Sequence, residues 1–87
     1  MKIAEGFLLK SIAGTNVVVP TGSNTVSFGN VITLNETGVF LWEQLVNDTT
    51  EKTLVDSMLK EYDIDEATAK ADVAEFVAKL KEAGLLV

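Results

Sequence analysis

The chain changes character once, between Leu34 and Asn35, and that change limits the folds open to it. Residues 1–34 are rich in Val, Ile and Thr, punctuated by Gly and Asn, and their only charged residues are Lys2, Glu5 and Lys10, a balance of +1. Residues 35–87 hold 12 acids, 5 lysines and six of the eight alanines, a balance of -7. β-Branched residues suit a pleated sheet, whereas Ala, Glu and Lys lose little freedom in a helix. Strands therefore come first and helices second, an α+β order without internal repeat or low-complexity stretch.

Phe7–Ile12 reads as a strand, Ala13–Asn16 as turn chemistry and Val17–Pro20 as the returning strand. Pro20 lacks an N–H and belongs at a strand end or on an edge. Residues 21–25 (TGSNT) read as a loop. Val26–Phe28 and Val31–Leu34 flank Gly29-Asn30, a spacer of the kind that closes a tight hairpin; the alternative for 26–28 is an extended loop without a partner.

Three helices follow. Asn35 caps Glu36–Val46, whose stripe is Leu34, Gly38, Leu41 and Leu45 with Trp42 and Val46 beside it. Asp48-Thr49-Thr50-Glu51 has capping-box character and opens Thr50–Tyr62, striped by Leu54, Val55, Met58, Leu59 and Tyr62. Asp65 caps Glu66–Ala83, striped by Ala69, Val73, Phe76, Val77 and Leu80. Gly84 supplies a left-handed C-terminal cap, after which Leu85-Leu86-Val87 can fold back onto the core.

At 87 residues and 9.4 kDa the chain fits one domain, 1–87. With 47% hydrophobic residues it can fill one small core. There is no Cys, no His and no Arg, which removes disulfide scaffolds, Cys/His zinc sites, thiol or Ser-His-Asp catalysis, and haem ligation by His or Cys. Strands followed by three short helices make a winged-helix-like layout, commonly a DNA-binding one. Here the last helix carries Glu66, Asp72, Glu75 and Glu82 against Lys70, Lys79 and Lys81, a sign that repels phosphate. Met1–Leu9 holds only the short apolar run Phe7-Leu8-Leu9, far below the ~18 residues of a spanning helix. A cytoplasmic protein without membrane or nucleic-acid partner is expected. Asp63, Asp65 and Glu66 suggest a calcium loop, but Thr68 and Ala74 stand where an EF-hand needs Gly and Glu.

Residues 32–42 read ITLNETGVFLW: a hydrophobic strand ending in Leu-Asn, a Thr-Gly pair, then an aromatic-rich first helix. With Thr50–Leu54 (TEKTL), Asp72–Phe76 (DVAEF) and Leu80–Leu86 (LKEAGLL), the chain from Phe7 onward resembles the PqqD family. It departs from the most familiar members in the longer stretch between Val19 and Val31. The resemblance implies an N-terminal three-stranded antiparallel β-sheet followed by three α-helices. It also implies a non-catalytic element, without metal or cofactor, that recognises the leader of a ribosomally made precursor peptide. The leader adds as a strand to the third strand, in the cleft beside the last helix, and is presented to a modifying enzyme such as a radical S-adenosylmethionine enzyme.

On that basis the backbone of Val31, Ile32 and Thr33 and the apolar wall Val73, Phe76, Val77 and Leu80 are the candidate peptide-binding residues. Val31–Leu34 carries no proline or lysine to block pairing. Each of the same four wall residues reads first as core, since their spacing is that of a stripe that usually packs a helix onto its sheet. Either Ile32 and Leu34 or Val31 and Thr33 face the core, and the pattern leaves both open. Trp42 reads as packing and Asn35 as a cap. An open strand edge also allows a strand-exchanged homodimer as well as a monomer. The competing reading is an acidic winged-helix adaptor between proteins, with no modified peptide as ligand. An enzyme is not expected, because no carboxylate pair stands with a nucleophile at a recognisable spacing.

Overall fold

A computed structural model describes residues 1–21 and 32–87. The first two strands, β1 (Phe7–Ile12) and β2 (Thr15–Pro20), pair antiparallel in the register Ile12↔Thr15 through Phe7↔Pro20. Their loop is Ala13-Gly14 alone, with φ of 51° and 80°. Both residues are left-handed, as in the type I′ turn that matches strand twist. Thr15 and Asn16, expected in the turn, are therefore already strand. Strand β3 (Ile32–Leu34) pairs antiparallel with β2 through Val18↔Ile32, Val17↔Thr33 and Asn16↔Leu34, giving the order β1-β2-β3. The expected hairpin around Gly29-Asn30, and Val31, lie outside the described residues.

Side chains alternate across this sheet as the period of two demands. Val18, Ile32 and Leu34 are buried, while Leu8, Lys10, Ile12 and Thr33 are exposed on the other face. The choice left open by the sequence is thus decided: Ile32 and Leu34 face the core.

The helices are α1 (Glu36–Leu45), α2 (Glu51–Glu61) and α3 (Glu66–Glu82). Each begins at a side-chain acceptor. Gly38 N donates to Asn35 Oδ1 at 2.8 Å, Thr53 N to Thr50 Oγ1 at 3.1 Å and Thr68 N to Asp65 Oδ1 at 2.7 Å. Asp48, expected to cap the second helix, is taken instead by the Met1 ammonium at 2.6 Å, and Thr50 does the capping. The ammonium holds the Asp48 carboxyl below its usual range by hydrogen bond and charge, and the Thr68 hydrogen bond does the same for Asp65. At the other end of α3, Gly84 (φ 75°) lets Leu85 N reach Leu80 O at 2.9 Å, the bond of a Schellman cap.

One core joins sheet and helices: Val18, Ile32 and Leu34 meet Leu41, Trp42 and Leu45 of α1, Leu54 and Met58 of α2, and Val73, Val77 and Leu80 of α3. Trp42 is 4% exposed and serves as packing, but Val46, expected beside the stripe, is 61% exposed at the end of α1. The C-terminal residues fold back in part. Leu85 is fully buried, and Lys2 and Val87 exchange backbone hydrogen bonds at 3.0 and 2.9 Å. Ile3 N donates to Leu45 O at 2.9 Å, so the N-terminal segment lies between α1 and the C-terminal segment. Among the described residues no helix is long and apolar enough to cross a membrane.

Candidate functional site

The direction of the β3 backbone follows from the first turn. The pair that closes a two-residue hairpin is a hydrogen-bonded pair, and such pairs alternate with non-bonded ones along an antiparallel ladder. Ile12↔Thr15 closes the turn, so Lys10↔Val17 is again a bonded pair and Val17 spends its N–H and C=O on β1. Asn16 and Val18 turn theirs toward β3, opposite Leu34 and Ile32. Thr33, opposite Val17, is left with its N–H and C=O pointing away from β2, toward the edge of β3 that no strand covers among the described residues.

That edge borders a groove of about 390 Å³. One side is the junction of β3 with α1: Thr33, Leu34, Asn35, Thr37, Gly38 and Leu41. The other is a single face of α3, Asp72, Glu75, Phe76 and Lys79, at i, i+3, i+4 and i+7. Gly38 is what allows the junction to close. A Cβ there would stand 3.1 Å from Leu34 Cβ and 3.3 Å from Asn35 Oδ1, the oxygen that caps the helix.

A larger hollow, about 550 Å³, lies between α2 and α3. Its charged residues are mostly committed to each other, Lys52 to Asp56 at 3.2 Å and Lys70 to Glu66 at 3.3 Å, and among the described residues it touches no strand edge. It is a crevice between two packed helices, so the smaller groove beside β3 is the better candidate site.

The sequence-predicted residues separate accordingly. Thr33 lies on the groove with its outward backbone, and half-buried Phe76 forms part of the opposite wall. Ile32 is buried and directs its N–H and C=O to β2. Val73, Val77 and Leu80 are at most 1% exposed, so their side chains fill the core rather than the groove. Val31 lies outside the described residues. Asp72, Glu75, Lys79, Thr37 and Gly38 were not expected in the site. The signal for the first three was present: their stripe, 72/75/76/79, stands directly beside the buried stripe 69/73/77/80. Among the described residues no group of His, Cys, Asp or Glu could hold a metal ion.

The family model of coenzyme PQQ synthesis protein D (PqqD) matches residues 15–86. The chain belongs to the PqqD family. Two solved structures share this PqqD fold. One, TbiB1 in complex with the TbiA(beta) leader peptide, is 24% identical with a TM-score of 0.76, over 99% of this chain and 94% of that one. The other, lasso peptide synthetase B1 complexed with the leader peptide, is 20% identical with a TM-score of 0.75, over 97% and 93%. No curated protein matches the chain. The resemblance read from residues 32–42 and the expected three-strand, three-helix PqqD architecture are borne out.

Proposed function

We propose that this PqqD-family chain is a non-catalytic recognition element that binds the leader of a ribosomally made precursor peptide and hands it to a modifying enzyme. The observation that carries the reading is the outward N–H and C=O of Thr33, placed on a strand edge that is open among the described residues and borders a groove. An extended peptide pairing there satisfies its own backbone groups, and alternate side chains enter the groove against Phe76. Both solved structures of the same fold are complexes with leader peptides, which supports the same class of ligand here. A radical S-adenosylmethionine enzyme is the kind of modifying partner that membership of the PqqD family favours. The domain works in this reading as one unit over residues 1–87, in the cytoplasm.

The test is an amide NMR titration of the intact protein with the leader peptide of the precursor encoded beside it. Shifts are expected at 32–35 and along 72–79, with α2 spared. Tight binding with a footprint on α2 would overturn strand addition, and absence of binding would favour an acidic adaptor of other proteins.

A further inference from the structure

The face that α3 turns to the groove is ordered by charge. Asp72 and Glu75 precede Phe76, and Lys79 follows it. At about 1.5 Å of rise per residue, the acids are centred about 4 Å to one side of the ring and the lysine about 4–5 Å to the other. All three charged residues are exposed. Among the described residues none of them is held in an ion pair, and residues 22–31 carry no charge that could supply one. The contrast within α3 is informative. Glu66 and Lys70, four residues apart, are closed at 3.3 Å, whereas Glu75 and Lys79 have the same spacing and order but stay apart.

We infer, resting on the reading of the groove as a peptide site, that its ligand is an extended segment carrying a cation, an apolar residue and an acid on one strand face. Same-face residues of a strand recur every ~6.6 Å, so positions i, i+2 and i+4 span about 13 Å, against about 10.5 Å of helix axis from residue 72 to residue 79. Flexible charged side chains cover the remainder. The cation stands over Asp72 and Glu75, the apolar side chain meets Phe76, and the acid reaches Lys79. The fold fixes which end of the groove is acidic and which is basic, so all peptides that pair with β3 in the same direction must carry the pattern in the same order. Complementary charges at a rim select the partner and register more than they add affinity.

The experiment selects short random peptides displayed on phage against the intact chain, then measures enriched peptides by fluorescence polarisation and NMR footprint. Enriched peptides should share a cation and an acid four positions apart around an apolar residue, in one order. Lys79→Glu should weaken such a peptide by about three- to tenfold, and replacing the peptide's acid by lysine should restore binding; high salt should shrink the difference. Lys79→Gln should give part of the loss without repulsion, and circular dichroism checks that both variants keep the helix. Peptides that footprint on Thr33 and Phe76 without the charge pattern, or that ignore Lys79→Glu, overturn the inference and leave the groove's assignment standing. A footprint elsewhere, or no enriched peptide, overturns the assignment and the inference together.

Discussion

Gly38 sits so close to Leu34 that a Cβ on it would come within 3.1 Å of the Leu34 Cβ. Two effects of Gly38→Ala therefore oppose each other. Alanine gains about 1 kcal/mol of helix propensity over glycine. Overpacking costs typically about 1–3 kcal/mol, and here the obstructing atoms are a strand Cβ and a capping oxygen, neither of which moves freely. The clash should prevail, with a net loss of about 1 kcal/mol and a lower urea midpoint. A raised midpoint would mean that the junction of β3 and α1 is not tightly set.

Thr33→Pro should separate binding from stability. Its N–H points away from β2, to the edge left open among the described residues, so proline removes no bond to β2. Proline is tolerated on an edge strand in that orientation. Leader affinity should fall at least about tenfold, from the lost hydrogen bond and the ring that blocks the incoming strand. Ile32→Pro, one residue earlier, should instead break the ladder to Val18 and collapse the fold. Retained leader binding by a folded Thr33→Pro protein would exclude strand addition at this edge.

How far the sequence alone reveals this site depends on what periodicity can express. The caps at Asn35 and Asp65 and the glycine stop at Gly84 were readable, because each rests on local chemistry that tertiary packing did not displace. Asp48 was misread because its true partner, the Met1 ammonium, is remote in sequence. The wall of the groove was harder. A period of 3.6 identifies an apolar stripe on α3 but not which edge of the stripe the sheet covers. Val73, Val77 and Leu80 went inside, and Phe76, at the border of the stripe, was left on the groove with the polar residues beside it.

That division predicts opposite outcomes for two substitutions one turn apart. Leu80→Ala empties a fully buried site and should cost about 2–5 kcal/mol in a denaturant melt. Phe76→Leu keeps most of the volume at a half-buried position and should cost under about 1.5 kcal/mol. Leader binding should nonetheless weaken in the Phe76 variant, measured on fully folded protein. Equal stability losses with unchanged binding would place Phe76 in the core alone.

Ala13 holds a φ of 51° at the first position of the β1–β2 turn. A left-handed conformation costs a residue with a Cβ roughly 1–2 kcal/mol, and asparagine offsets part of this by local hydrogen bonding. Ala13→Asn gives the Asn-Gly pair favoured in type I′ turns and should stabilise the protein by about 0.5–1 kcal/mol, read as a higher melting temperature. An unchanged or lower temperature would count against a strained turn.

The final prediction concerns acid. Asp48 and Asp65 both have carboxyls lowered in the folded protein, Asp48 by the Met1 ammonium and Asp65 by the Thr68 hydrogen bond. For a depressed acid, the unfolded chain binds protons first as pH falls, so stability rises with pH through that region. The contribution is fully present above the unfolded value of about 3.9, and is lost as pH falls through the lower folded value. Urea midpoints should therefore respond little to these two groups from neutral pH down to about 5 and decline more steeply below about 4. Asp65→Asn keeps an acceptor at the N-cap while removing the titration. Its midpoint should decline less steeply in acid than the parent's, and Asp48→Asn should behave likewise. If both variants track the parent in acid, neither aspartate is linked to folding through its charge, and the hydrogen bonds that lower them are made equally well by the neutral side chains.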